Sequence, residues 1–221
     1  MRVLTYNICH GRYVAGDMQK IADILRQISA DLVGLQEVDV GTTRVDGRDL
    51  LRELSEMSGY VHAAFCPSMT FEGGYYGTAV LSRTPLRVFS SVRYTKPGRE
   101  PRTYSRCETE IDGRRVAFFN THCANKEPDV RLAQQRELSA ILTRETLPYV
   151  ATGDFNDRDF SVFSEAGIRA ANGEERRFVT FPAAESGIDN ILFSRAFSLL
   201  DAGTVHVPYS DHFPLYADLS G

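Results

Sequence analysis

The sequence predicts an α/β protein: a four-layer α/β/β/α sandwich of two mixed β-sheets packed face to face, with helices on the outer faces. Residues 1–221 are expected to form it as one domain. Three observations carry this reading. The first sixty residues alternate strand-like and amphipathic helical segments. The middle of the chain then changes to short strand-like runs separated by Pro, Gly or Asp-Gly. The strands together are too many for one comfortable open sheet, so two sheets must share them.

Arg2 to Cys9 (RVLTYNIC) is β-branched and aromatic and reads as the first strand. Asp17 then stands as N-cap before Met18, Ile21, Ile24, Leu25 and Ile28, an apolar stripe at helical spacing. Asp31 to Val38 (DLVGLQEV) is a mostly apolar strand, and Asp49 to Met57 carries Leu50, Leu51, Leu54 and Met57 as a second amphipathic helix. Four strands are expected at Gly77 to Ser82, Arg87 to Tyr94, Thr103 to Ile111 and Val116 to Thr121. Asp112-Gly113 joins the last two as a two-residue hairpin turn. Between them Pro97 to Pro101 reads as a loop. A long helix from about Asp129 to Glu145, with Leu132, Leu138, Ile141 and Leu142 inward, leads to a strand at Tyr149 to Thr152. Strands near Ile188 to Phe193, Leu199 to Val205 and Pro214 to Leu219 close the chain.

Apolar residues make up 43% and charged residues 24%, the composition of a globular chain with a substantial core. A net charge of −4 speaks against a protein that coats nucleic acid, because that binding rests on many Lys and Arg contacts to phosphate. Basic residues do cluster locally, at Arg99, Arg102 and Arg106. Cys9, Cys66, Cys107 and Cys123 are spread singly, with no C-x-x-C pair and no short-spaced His partners that would make a zinc site, so structural thiols are expected. With a first strand expected to begin at Arg2, no signal peptide is expected within these residues, and no apolar run approaches membrane-spanning length. A cytoplasmic monomer is the expectation, secreted if a leader has been removed.

Polar residues sit where the apolar strands end: Asn7, Glu37, His122, Asp154 with Asn156, Asp189, and Asp211-His212. Ligand sites in layered folds gather at such ends, where the scaffold is rigid. In Gly153-Asp154-Phe155-Asn156, residues two apart face one side of an extended segment, so Asp154 and Asn156 can reach one ligand while Phe155 turns into the core. A carboxylate beside a carboxamide suits a hard cation and its water. An Asx turn is the alternative for that tetrapeptide. Asp189 can fix the tautomer of His212 and leave the other ring nitrogen to the substrate, or both can merely cap strands. Glu37 would be costly if buried unpaired, and either a cation or an Arg partner would answer that. Arg44, Arg102 and Arg106 have the guanidinium fork that matches phosphate, as against solvated surface Arg. Tyr75 and Tyr76 either line a pocket or are edge-strand aromatics.

The ordered series TYNICHG, LQEV, GGYYGTAVLSR, EPRTYSRCE, NTHC, GDFN, GIDNIL and SDHFPL, running from residue 3 to residue 219, resembles the endonuclease/exonuclease/phosphatase superfamily. That superfamily includes pancreatic-type DNases, abasic-site endonucleases, neutral sphingomyelinases, inositol polyphosphate 5-phosphatases and deadenylases. LQEVDVGTTR and TFPA resemble especially a group of small bacterial members. The resemblance implies a DNase I-like fold and hydrolysis of a phosphomono- or diester with one or two Mg²⁺ or Mn²⁺ ions. It makes Glu37 the main metal ligand, with Asn7 and Asp211 near the same or a second cation. It gives Asp154 and Asn156 the attacking water and a phosphate oxygen, His212 with Asp189 the phosphoryl centre, and His122 the phosphate or leaving group. Which of Asp154 and His212 is the base stays open. Thr78, Asn190 and Cys123 stand where relatives commonly have Asn, Tyr and Leu, which bears on substrate rather than on catalysis.

The expected substrate is a small or lipid-derived phosphate ester. A DNA or RNA nuclease is the alternative among enzymes, disfavoured by the acidic balance and by the little room for inserted basic loops. A non-catalytic relative that binds a phospho-ligand or a protein is the alternative of another class; loss of Glu37, Asp154, Asp189 or His212 would favour it, and none is missing.

Overall fold

The computed structural model of the protein describes residues 1–173 and 176–221. Its elements begin with β1 (Arg2–Asn7), α1 (Met18–Ile28), β2 (Leu32–Val40) and α2 (Leu50–Ser58). β3 (His62–Phe71), β4 (Gly74–Ser82), β5 (Arg87–Arg93), β6 (Thr103–Ile111) and β7 (Arg114–His122) follow. α3 (Pro128–Arg144), β8 (Tyr149–Asp154), α4 (Ser161–Ser164), β9 (Arg169–Ala170), β10 (Asp189–Phe193), β11 (Ser198–Thr204) and β12 (Leu215–Ser220) complete it. The strands form two six-stranded sheets, ordered β11-β12-β1-β2-β4-β3 and β5-β6-β7-β8-β10-β9. β1–β2 and β7–β8 pair in parallel and the other neighbours antiparallel, so both sheets are mixed as expected.

Strand alternation divides the core into three layers. In β1, Leu4 and Tyr6 turn to α1 and α2, where they meet Ile21, Leu25 and Leu54, while Val3 turns to the opposite sheet. In β7, Phe118 lies between the sheets with Val150 and Ile191, and Phe119 packs outward against Leu138, Leu142 and Phe163 of α3 and α4. Each such side chain contributes about 1.5–3 kcal/mol by leaving water. Burial on both faces is why these central strands read as unbroken apolar runs.

Toward one end of the sandwich the space between the sheets turns polar. Gln36 Nε2 donates to Asn120 Oδ1 at 2.7 Å, Thr152 Oγ1 donates to the same oxygen at 3.1 Å, and Asn120 Nδ2 donates to the carbonyls of Leu35 and Ala79 at 2.9 Å. Gly34 lies against this network: a Cβ there would stand 2.0 Å from Thr152 Oγ1 and 2.5 Å from Asn120 Oδ1.

Several expectations are corrected. β1 ends at Asn7, and Cys9–Val14 forms a 3₁₀ turn with left-handed residues inside it. Asp17 occupies the N-cap position of α1 without a side-chain capping bond, whereas Asp49 does cap α2, accepting from the Arg52 N–H at 3.0 Å. β3, α4 and β9 had no counterpart in the sequence reading. On α3, Leu132 and Ile141 are only half-buried and Gln134 and Gln135 take the inward places. Both amides bind backbone: Gln134 Oε1 accepts from Ala124 N–H at 2.8 Å and Gln135 Nε2 donates to Phe155 O at 3.5 Å, which ties the helix to the two loops beside it. The Asp112-Gly113 turn is observed, with φ of 52° and 77°, the two left-handed residues a tight hairpin needs.

Candidate active site

The strand ends converge on one cleft of about 750 Å³, within the range of small-ligand sites. Glu37, Arg44, Tyr76, Arg102, His122, Asp154, Asn156, Asp211 and His212 line it, and Asn7 and Asp189 sit directly behind.

β2 delivers Glu37 by a bulge. Its register against β4 shifts between Leu35 and Val38, and Glu37 has a left-handed φ of 57°. A non-glycine residue held there costs on the order of 1 kcal/mol, so neighbouring contacts must hold it. Asn7, at the end of β1, is one of them: its Nδ2 donates to Glu37 Oε1 at 3.2 Å and to Asp154 Oδ2 at 3.0 Å, and its Oδ1 accepts from the Cys9 N–H at 3.0 Å. Asn7 thus donates to both carboxylates. Burial works against the charge of Glu37, but the nearby His10 and His122 rings, the Asn7 hydrogen bond and the His212 charge outweigh it and hold the carboxyl at about 2.

β8 ends in Asp154, whose Oδ1 accepts from the Asn156 N–H at 2.9 Å. The Asx turn weighed from the sequence is therefore present, with Asn156 left-handed at φ 54° and Phe155 fully buried behind it. Asn156 Nδ2 donates to Cys123 O at 3.0 Å, which spends that group on joining two loops. Three donors converge on Asp154 Oδ2: Asn7 Nδ2 at 3.0 Å, His122 Nε2 at 3.4 Å and His212 Nε2 at 3.7 Å. Burial and the nearby Asp189 carboxylate push the Asp154 carboxyl upward, to about 7.

The two imidazoles differ in charge because their partners differ. Asp189 can only accept, so His212 Nδ1, 2.8 Å from its Oδ2, carries a proton. Burial opposes the charge of this ring, but attraction to Asp189 and Asp154 prevails and raises it to about 10. Arg102 can only donate, and its Nη1 lies 2.7 Å from His122 Nδ1, so that nitrogen holds a lone pair and the proton sits on Nε2. Burial and the Arg102 charge both push His122 well below the usual imidazole range. His212 is a cation at neutral pH and His122 a neutral N–H donor.

The structure also separates residues that the sequence grouped. Arg44 lines the cleft, yet its Nε and Nη2 bind the buried Asp39 carboxylate at 2.5 and 2.7 Å, and its plane lies over Phe71 and Tyr76. Tyr76 is buried in the cleft wall, while Tyr75, the next residue along β4, is half-exposed on the opposite face and outside the cleft. Arg106 is also outside: on β6, four residues past Arg102, it stands roughly 13 Å further along the chain, where Glu145 and Glu108 accept from it at 2.8 and 3.0 Å. Of the departures from family pattern, Asn190 pairs with the Asn172 backbone, the Thr78 hydroxyl is buried without a partner, and Cys123 is buried.

Some site residues escaped the sequence reading. Ser210 Oγ donates to Asn7 O at 2.7 Å and accepts from the His212 N–H at 3.3 Å, joining β1 to the loop before β12. Thr180 Oγ1 accepts from the Asp189 N–H at 3.1 Å, and the Phe181 ring lies 5.0 Å from that of His212. The TFPA segment was the one available signal for these two. Cys9 and His10 also stand close to Glu37, the ligand atoms of the three lying within 4.8 Å of one another.

Four carboxylates, Glu37, Asp154, Asp189 and Asp211, thus share one region. The Asp189 Oδ1 atom is buried without a partner. That excess of hard oxygen donors fits a divalent cation.

Over residues 4–212 the sequence matches the model of the Endonuclease/Exonuclease/phosphatase family. It is 27% identical over 172 residues to the uncharacterized protein YbhP of Escherichia coli K12, covering 71% of this chain and 66% of that protein's length. Among solved structures, an endonuclease/exonuclease/phosphatase from Beutenbergia cavernae superposes with a TM-score of 0.79 at 21% identity, over 99% of this chain and 71% of that one. A mannosyl-6-phosphatase of Bacteroides thetaiotaomicron gives 0.77 at 21% identity, each chain covered completely. The catalytic domain of human Nocturnin with bound sulfate gives 0.75 at 20%, over 100% and 94%. At such identities these likenesses concern the fold, which in each case is this two-sheet sandwich.

Proposed function

The chain belongs to the endonuclease/exonuclease/phosphatase family, and from that premise we propose that it hydrolyses a small phosphate ester with a divalent cation, Mg²⁺ or Mn²⁺. The observation that carries the proposal is the convergence of Asn7, His122 and His212 on Asp154 Oδ2 beside the Glu37 carboxylate. Glu37 and Asp211 would hold the cation. When bound, it neutralises charge on the phosphoryl and leaving oxygens.

Asp154 is the base in this reading. Its raised carboxyl accepts a proton from water at near-neutral pH, while hydrogen bonds from Asn7 and the Asn156 N–H hold it in place. The water oxygen forms a bond to phosphorus, the ester P–O bond opposite breaks, and the departing oxygen is protonated from solvent. His212, already charged, cannot take that proton, so it offers Nε2–H to a phosphoryl oxygen as negative charge builds there. His122 gives a neutral hydrogen bond from Nε2, with Arg102 behind it keeping the tautomer. Asn7 acts as a donor that spaces Asp154 and Glu37.

Rim charge supports a substrate bearing a second anionic group. Arg99, Lys126 and Arg158 line the cleft and, among the described residues, none makes a side-chain ion pair. Three such cations are few for gripping a duplex, which agrees with the acidic net charge.

The test is a panel of nucleotides, sugar and inositol phosphates, phospholipid headgroups and plasmid DNA, each with Mg²⁺ and with Mn²⁺, run on the native protein and on Asp154→Asn. Turnover of at least one small ester, lost in the variant, is expected. No turnover of any ester with either ion, or plasmid nicking far above every small-ester rate with steep salt dependence, would overturn the proposal.

A further inference from the structure

The turn after β1 brings a second set of donors to Glu37. Cys9, His10 and Gly11 follow one another with φ of 43°, 43° and 74°, and the Cys9 N–H is fixed on Asn7 Oδ1. This reversal of the chain sends the Cys9 thiol and the His10 ring to the side where the Glu37 bulge delivers its carboxylate. His10 Nδ1 stands 3.8 Å from Glu37 Oε2, beyond hydrogen-bond range, and that nitrogen is buried without any partner. The Asp211 carboxylate lies beside Cys9 as well.

Donors sharing one tetrahedral ion, bonded at about 2.0–2.3 Å, stand roughly 3.3–3.7 Å apart. The His10–Glu37 separation is close to that. A cation between them would give the orphaned nitrogen the partner it lacks. Structural roles account for two of the other cysteines differently: Cys66 Sγ meets the Ser91 and Thr103 hydroxyls and Cys107 Sγ donates to Phe118 O.

We propose that Cys9, His10 and Glu37, with Asp211 as neighbouring fourth ligand, form a mixed sulfur, nitrogen and oxygen site that takes a borderline transition ion of the Zn²⁺ class in preference to Mg²⁺. The proposal rests on the reading above in treating Glu37 and Asp211 as cation ligands. It departs from that reading in the kind of ion: thiolate and imidazole select Zn²⁺ over Mg²⁺, which keeps to oxygen. On binding, the Cys9 S–H bond breaks, a sulfur–metal bond forms and the proton goes to solvent. The Cys9 thiolate and the two carboxylates then outweigh the two charges of the ion by one.

The experiment is titration of the metal-free protein with Zn²⁺ by calorimetry and with Co²⁺ by absorption, for the native chain, Cys9→Ser and His10→Ala, each checked for a native melt by circular dichroism. Native protein is expected to show a near-ultraviolet thiolate-to-cobalt band, absent in Cys9→Ser, and both variants to bind Zn²⁺ at least about tenfold more weakly. A cobalt complex without that band, or Zn²⁺ affinity indifferent to both substitutions, would overturn the site. Either result can coincide with normal Mg²⁺- or Mn²⁺-dependent turnover, which would leave the proposed hydrolase standing. The band with no turnover of any ester would support the site and sink the hydrolase.

Discussion

Asp189 raises the His212 ring, and on the proposed mechanism His212 in turn sets the alkaline side of the pH profile. With Asp154 as base, activity should fall as pH drops through about 7, where that carboxyl is protonated. It should fall again as pH rises through about 10, where the raised His212 ring loses its proton. Asp189→Asn removes an attraction that raises His212 and a repulsion that raises Asp154, so both limbs should move to lower pH. Turnover should drop by about 10²–10⁴-fold with the melt little changed. An unmoved profile with near-native turnover would make the pair structural. This pair was legible in the sequence because the motifs name it. Tyr75 against Tyr76, and Arg102 against Arg106, were not, since the answer lay in strand parity and in distance along β6. Cys9 was missed for a different reason: its neighbours in space are assembled by left-handed backbone, which no spacing of Cys and His records.

Among the elements, β2 carries the heaviest demands. It holds Gly34 against the inter-sheet amide network and, three residues later, bulges to present Glu37. Gly34→Ala would set a methyl group into Thr152 Oγ1 and Asn120 Oδ1, atoms fixed by hydrogen bonds from both sheets. A loss of about 1–3 kcal/mol is expected, read as a lower denaturant midpoint, with turnover falling too because Asn120 and Thr152 lie on the strands that end in His122 and Asp154. Asp49→Ala is the contrast: removal of a cap should cost about 1 kcal/mol and leave turnover near native. A Gly34→Ala midpoint equal to the native one would mean that the network yields freely. β2 was readable from its apolar run, but its bulge was not. β3 was lost altogether because Pro67 interrupts it; the proline is tolerated at the edge of its sheet, beside the register shift between Pro67 and Met69. α4 and β9 are too short to leave a periodic signal.

At the level of the whole molecule, the cleft straddles the two sheets, with Asn7 and Glu37 on one and His122, Asp154 and Asp189 on the other. A cation seated there binds only the folded state and offsets carboxylate repulsion across the seam. Mn²⁺ at a hundred times its dissociation constant should therefore stabilise the protein by about 2.7 kcal/mol, seen as a rise in Tm that chelation reverses. Chelation should abolish turnover along with it. Full activity in excess chelator, with a Tm indifferent to Mn²⁺, would contradict the cation's place in the site. The layered architecture was legible from the order of strands and helices. The pairing of the two sheets across a polar end was not, because Gln36, Asn120 and Thr152 look like ordinary strand residues until they face one another.

β12 pairs with β1 in register from Arg2 opposite Asp218 to Thr5 opposite Leu215, and the terminal amine donates to Leu219 O at 2.8 Å. A ribosome makes β12 some two hundred residues after β1. While the residues between them are made, then, one edge of β1 waits without its neighbour, an apolar strand with open hydrogen-bonding groups and so a site for wrong pairing. The same late segment carries Asp211 and His212, so on the proposed mechanism no nascent chain could turn over substrate before that segment is made. Order of synthesis would then join closure of the sheet to the onset of the proposed chemistry. Refolding from denaturant should show it as amide protection in β1 and recovery of activity rising with one time constant.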